Sequence, residues 1–255
     1  RNATTEEDYA VTEKRFLSEF IRLHGILFTR ISMEKMPVIQ SEALKDFEFL
    51  LMKGADHLDA LMLKLTIMII FTLENSRKLQ SPVLQPNSAS TANNVYFQHA
   101  ISLGFEFLSK LVRFSAENNF QHLGAIVVFL KYLQQNKPLL QGEAATRYLQ
   151  NFIEFLQILS AKNSDFHPNK ISTQSAQTVT LIEDVEILGF SYVEGFVSQK
   201  HSRDSSTDVA PDTALKLRVE RLSAIVSNLL LDDNVKLFYD YANSIFTTVK
   251  ISNRL

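Results

Sequence analysis

Residues 12–31, TEKRFLSEFIRLHGILFTRI, decide the fold class. Phe16, Phe20, Leu23, Leu27 and Ile31 recur at threes and fours, the interval that stacks side chains on one face of an α-helix. Leu17, Ile21, His24 and Phe28 widen the stripe until it suits a helix touching two neighbours. The same periodicity predicts further helices over roughly 38–53, 58–79, 94–116, 119–136, 143–161, 212–231 and 233–251. Gly54 closes the second helix, and Asp56 is placed to cap the third, with Asp59 in its first turn. The middle of 58–79 is apolar on nearly every side, which predicts the central, most buried helix. No strand pair with a hairpin turn is legible. About eight helices separated mostly by short turns predict an all-α protein of antiparallel helical hairpins, stacked as an α-solenoid. The architecture is TPR-like, although no tetratricopeptide consensus is present.

Polar, proline- and serine-bearing stretches near 80–93, 162–175 and 198–211 read as flexible segments within one helical-hairpin domain, 1–255. Between the last two lies 176–196, AQTVTLIEDVEILGFSYVEGF, too apolar for a surface loop. It predicts a short helix, stopped near Gly189, and an irregular arm carrying Phe190 and Tyr192 across neighbouring helices.

Composition sets the outer limits. The 255 residues are 45% hydrophobic and 21% charged, the balance of a folded chain rather than a disordered one. The formal net charge of -2 supplies no global field for nucleic acid, and no basic–aromatic interleaving compensates, so direct nucleic-acid binding is expected to be weak or absent. There is no cysteine, which removes disulfides, thiolate nucleophiles and cysteine metal sites. The longest charge-free apolar run, Leu65–Leu73, is too short to span a bilayer, so no membrane association is expected. The chain opens RNATTEEDY without a methionine, which predicts a piece of a longer protein.

Catalytic motifs are absent. No phosphate-binding glycine loop, dinucleotide fingerprint, H-E-x-x-H or G-x-S-x-G occurs, and no cofactor is expected. The six histidines are scattered, and none has a second histidine three or four residues on. The rival class, a metal-dependent hydrolase, would have to use Glu183, Asp184 and Glu186, with His24 as a neighbour if the array folds back. Glu183 and Glu186 are three apart and could share a helical face, but no nearby histidine completes a ligand set. A structural role is simpler: carboxylates at a helix start, or paired with a lysine or arginine of an adjoining hairpin, that fix the arm. The basic residues Lys14, Arg15 and Arg22 of the first helix read as a solvated face, with an acidic or phosphorylated peptide as the alternative partner.

Residues 15–36, RFLSEFIRLHGILFTRISMEKM, carry a specific likeness. The pattern F-x-x-x-F-[LI]-x-[LV]-H-G-x-L-[FY]-T-[RK]-I-x-M-E is met by Phe16, Phe20, His24, Gly25, Phe28, Arg30 and Glu34 with the residues between them. It resembles the Est1/SMG family of telomerase-associated and nonsense-mediated mRNA decay factors, nearest the Est1A branch. LGFEFLSKLVRF at 103–114 and HLGAIVVFLKYLQQNKPLL at 122–140 resemble later family segments, with Phe129 and Tyr132 where tryptophans are usual. TLIEDVEILGFSYVEGF at 180–196 resembles L-x-E-D-x-x-L-x-G-F-x-P-L through Glu183, Asp184, Gly189 and Phe190, with Tyr192 in place of the proline. The resemblance implies a non-catalytic protein-interaction scaffold of a decay factor. It would support an upstream phosphopeptide-binding domain, which contacts the phosphorylated surveillance helicase and other SMG/Est1-family proteins, and would recruit mRNA decay factors. A telomerase-associated scaffold is the alternative. A nuclease PIN domain, where present, would lie downstream. Localisation is expected to be cytoplasmic with shuttling to the nucleus.

Overall fold

A computed structural model describes residues 3–54, 57–78, 90–163, 166, 168, 179–187, 190–193, 209–232, 235–240, 243 and 245–248. Its helices are α1 (Ala3–Thr29), α2 (Met36–Lys53), α3 (Leu58–Lys78), α4 (Ser90–Glu117), α5 (Leu123–Gln135), α6 (Glu143–Lys162), α7 (Ile182–Glu186) and α8 (Pro211–Leu230). Two 3₁₀ turns, Met33–Lys35 and Lys137–Gln141, join α1 to α2 and α5 to α6. Strands β1 (Phe238–Asp240) and β2 (Ile245–Thr247) close the chain. Gly54, at φ +58°, ends α2 in a left-handed conformation that glycine adopts without steric cost, and its N–H donates to the Leu50 carbonyl. The expected cap Asp56 lies outside the described residues, as does Gly189.

The hairpins stack in two layers. α1, α3, α5 and α8 follow one another in the first layer, and α2, α4 and α6 in the second, with α1 against α2 and α3 against α4 across the stack. This is the expected all-α hairpin solenoid. One continuous core runs through both layers. At one end, Phe16 and Phe20 of α1 meet Phe47 of α2 and Phe107 of α4, with ring centroids 4.9 to 6.0 Å apart. Further along, Phe105, Phe129, Tyr148, Phe152 and Phe155 continue the aromatic chain. Among the described residues no helix is long and apolar enough to cross a membrane.

Three expectations are corrected. The central helix is α5, not α3: every residue from Leu123 to Leu130 is buried, because α3, α4 and α8 surround it. α3 instead leaves Met68 and Phe71 exposed, although Ile69 is core as its phase required. Second, the loop near 80–93 cedes 90–93 to α4, and most of the other segments expected to be flexible lies outside the described residues. Phe166, within the 162–175 segment, is buried against Phe246. Third, the helix expected over 233–251 is an antiparallel hairpin with Phe238 opposite Thr247, Tyr239 opposite Phe246 and Asp240 opposite Ile245. Val235, Phe238, Ala242 and Ile245 mimic a helical stripe, but Asp240 takes both the Asn243 N–H and its side-chain amide, a local turn that competes with helix. Phe246 then turns inward, and its carbonyl accepts from Gln157 of α6.

Candidate functional site

The motif residues of α1 divide between interior and surface. Phe16 and Phe20 are fully buried. His24, one turn on, is 9% exposed; its Nδ1 lies 2.7 Å from the Phe20 carbonyl. A carbonyl only accepts, so Nδ1 carries the proton and Nε2 keeps its lone pair. Burial pushes the imidazole pKa down, against the opposing pull of the Phe20 carbonyl, so the ring is neutral at pH 7. Among the described residues that Nε2 is buried without a partner. Gly25 is exposed, and a Cβ added there would meet nothing within 4 Å. Phe28 stands 61% exposed. Arg30 leaves the helix at φ 60° with its guanidinium 4.9 Å from the Tyr96 ring centroid, and Glu34 is exposed in the 3₁₀ turn. Arg15 and Arg22, weighed as part of a basic face, are engaged by Asp46 and Glu19.

Between α1 and α3 the two exposed edges form a groove of about 480 Å³. Ile21, Gly25 and Phe28 line one wall and Met68, Phe71 and Asn75 the other. His24 also lines it, and Phe190 of the arm contributes from a third element. Tyr192 braces that arm: its hydroxyl accepts from Lys78 Nζ at 2.8 Å, and its ring packs against Phe190.

The acidic pair faces inward. α7 exposes Ile182 and Val185 and buries Glu183 and Asp184, the reverse of what its hydropathy suggests. Arg218 and Arg221, three residues apart on α8, explain the inversion. Arg218 holds Glu183 through two bonds of 2.9 and 2.8 Å. Arg221 holds Asp184 at 3.2 and 2.8 Å and also donates to the Val179 carbonyl. Asp184 accepts the Leu181 N–H at 2.8 Å, as a residue near a helix start does. Burial pushes the Asp184 pKa up, with Arg221 and the Leu181 amide opposing. α5 approaches closely because Gly124 has no side chain: a Cβ there would sit 3.2 Å from Glu183 Oε2 and 3.3 Å from Arg218 Nε. Glu186 is exposed while Glu183 is buried, so the two do not share a ligand face. Among the described residues no group of three metal-ligating side chains occurs. His24 lies in the α1–α3 groove, whose lining does not include the acidic pair.

The second layer carries a polar groove that periodicity alone does not reveal. It measures about 790 Å³ and runs along α4 and α6. His99, Lys110 and Arg113 of α4 line it with Arg147 and Asn151 of α6. Lys110 is engaged by Glu48, whereas Arg113 and Arg147 make no ion pair among the described residues. The signal in the sequence is the three-residue interval between Lys110 and Arg113, and only the α4–α6 packing adds Arg147 to the same groove, which Glu106 and Glu143 also line.

With this geometry in hand, the relatives are informative. A family model described as the Est1 DNA/RNA binding domain matches residues 4–196. The chain belongs to the Est1 family. A stretch of 101 residues, 39% of the chain, is 29% identical to the telomerase-binding protein EST1A of Danio rerio. The chain covers 6% of that relative's length. The Est1-family match takes in the His24–Gly25 motif and the Glu183–Asp184 pair, but Arg218 and Arg221 lie beyond its end. The acidic pair is therefore held by a helix outside the matched span.

Proposed function

We propose that this Est1 domain is a non-catalytic protein-interaction scaffold of a nonsense-mediated mRNA decay factor. It supports an upstream phosphopeptide-binding domain, through which phosphorylated surveillance helicase and other SMG/Est1-family proteins are met, and it recruits decay factors in the cytoplasm, with shuttling to the nucleus. The observation that carries the reading is the fate of the best chemical candidates. Glu183 and Asp184 are buried and spent on Arg218 and Arg221, where they join α7 to α8 rather than face a substrate. The test is exchange of the natural full-length protein in cells for one lacking residues 12–251. Loss of co-precipitated decay factors and longer-lived transcripts with premature stop codons is the expected result. Normal decay with every partner recovered would refute it.

The second reading is a telomerase-associated scaffold that contacts nucleic acid through the α4–α6 groove. It is favoured by Arg113 and Arg147, which make no ion pair among the described residues although Glu106 and Glu143 share the groove, and by the family description and the relative's name. A net charge of -2 conceals such a local cluster, which can track a phosphate backbone. In the same exchange, intact decay with loss of co-precipitated telomerase activity selects this reading. Arg113→Glu with Arg147→Glu then abolishes single-stranded DNA or RNA binding by the chain.

A further inference from the structure

The α4–α6 groove divides its polar groups into engaged and free. Glu106 is engaged: it accepts the Gln40 amide at 2.9 Å and the Ser102 hydroxyl at 3.0 Å. Lys110 is engaged by Glu48 of α2. Among the described residues Ser109, Arg113, Arg147 and Asn151 hold no hydrogen bond or ion pair. α4 and α6 run in the same direction, since Phe105 meets Tyr148, and Phe120, just past α4, meets Phe155. Arg147 precedes Tyr148, and Arg113 lies two turns past Phe105, so the two arginines stand about 13 Å apart along the groove. That is about four residues of extended chain, an even interval that returns a side chain to the same face. At the other end, where α6 begins, Val95 is 52% exposed near Ala144. From Val95 to Arg113 the floor is about 27 Å long, which about nine extended residues span.

We propose that the α4–α6 groove binds an extended, acidic, unphosphorylated segment of another protein, with two carboxylates four residues apart held by Arg147 and Arg113. Each guanidinium offers a planar fork of donors that a carboxylate meets with both oxygens. Ser109 and Asn151 both donate and accept, which matches the N–H and C=O groups of an extended backbone. A helix satisfies those groups internally and asks for an apolar floor, which this groove lacks. A nucleic acid carries a phosphate at every nucleotide, so along the same floor it would set phosphates beside Glu106 and Glu143. A peptide places its charges only where the arginines stand. This occupant deepens the scaffold reading and rests on it, since it names one surface and the chemistry of the partner recruited there.

The probe is a fluorescein-labelled peptide of about nine residues, capped at both ends, with a leucine at one end, aspartates four and eight residues from it, and serine or threonine elsewhere. It is made in both chain directions. Fluorescence anisotropy with the 255-residue chain is expected to show saturable binding of one direction. Arg113→Gln and Arg147→Gln, at exposed positions where the fold is indifferent, each weaken it about tenfold. Asparagine in place of either aspartate does the same. Moving one aspartate by a single position puts it on the opposite face and also weakens binding. Arg15→Gln with Arg22→Gln, on α1, leaves binding unchanged. No binding, equal affinity after the one-position move, or an equal loss in the α1 variant each overturns the proposal. A single-stranded oligonucleotide that displaces the peptide, binds more tightly and is lost in the same two variants assigns the groove to nucleic acid and overturns it too. Failure here with decay factors still lost from the 12–251 deletion refutes the groove and leaves the scaffold standing. Binding as expected with normal decay in that deletion separates the two the other way.

Discussion

Arg221→Met tests the role assigned to the acidic pair. The Arg221 side chain is 2% exposed, and its partners Asp184 and Glu183 are as deeply enclosed. Methionine keeps the apolar stem and removes the charge. Among the described residues Asp184 then keeps the Leu181 amide as its hydrogen-bond donor, while Glu183 keeps Arg218. Breaking a buried pair from one side costs about 3–5 kcal/mol, because the orphaned charge stays desolvated. For a chain of this size that lowers the melting temperature by roughly 6–20 °C. Urea unfolding followed by circular dichroism measures it. An internal check comes from pH. The folded pKa of Asp184 is already raised by burial, so its contribution is most favourable below its unfolded pKa and is lost as pH rises through the folded value. Removing Arg221 raises that pKa further, so the deficit of the variant should shrink as the pH is lowered toward about 4. Adding Asp184→Asn to Arg221→Met should recover part of the loss at neutral pH. Arg15→Ala, which removes a pair whose arginine is 60% exposed, should cost no more than about 1 kcal/mol. An Arg221→Met protein as stable as Arg15→Ala would refute the reasoning.

Three further outcomes are expected. His24 has its pKa lowered by burial, so its contribution to stability is present above the unfolded value and declines as pH falls below about 6.5; His24→Phe should flatten the stability–pH curve between about pH 7.5 and 5.5. Tyr132→Phe removes the 2.8 Å bond to the buried Glu74 and should cost about 1.5–3 kcal/mol in denaturant unfolding, since the acceptor is charged and enclosed. Gly25→Ala, at an exposed helical site with open space, should raise stability by roughly 0.5–1 kcal/mol by thermal melting, and a loss there would mean that α1 is not helical through Gly25.

The layered array was legible because its code is local. Phe16, Phe20, Leu23 and Leu27 announce their helix by spacing, and Gly54 announces its end. What was not legible depends on contacts between distant residues. α3 stands out by its length, yet α5 is the central helix: Leu123–Leu130 carries no charged residue, and α3, α4 and α8 enclose it, which no window over 58–79 contains. α7 reads as apolar residues interrupted by acids, yet its carboxylates face inward because Arg218 and Arg221 wait some 35 residues on. Arg221 carried a faint signal: it lies among the buried Val219, Leu222 and Ile225 on α8. The terminal hairpin was missed because Val235, Phe238 and Ile245 fit a helical stripe by coincidence, while the deciding feature is one side chain, Asp240, tying off a turn.

The two grooves open from different layers, one bounded by α1 and α3 with the arm, the other by α2, α4 and α6. An occupant of either leaves the other unobstructed. Their wall residues do not overlap, and α3 and α4, which contribute to one groove each, are separated by packed side chains. Occupants of the two grooves, were both engaged, would share no wall residue. If they are tethered to one another, each raises the effective concentration of its companion, so a pair of weak contacts yields a long-lived assembly.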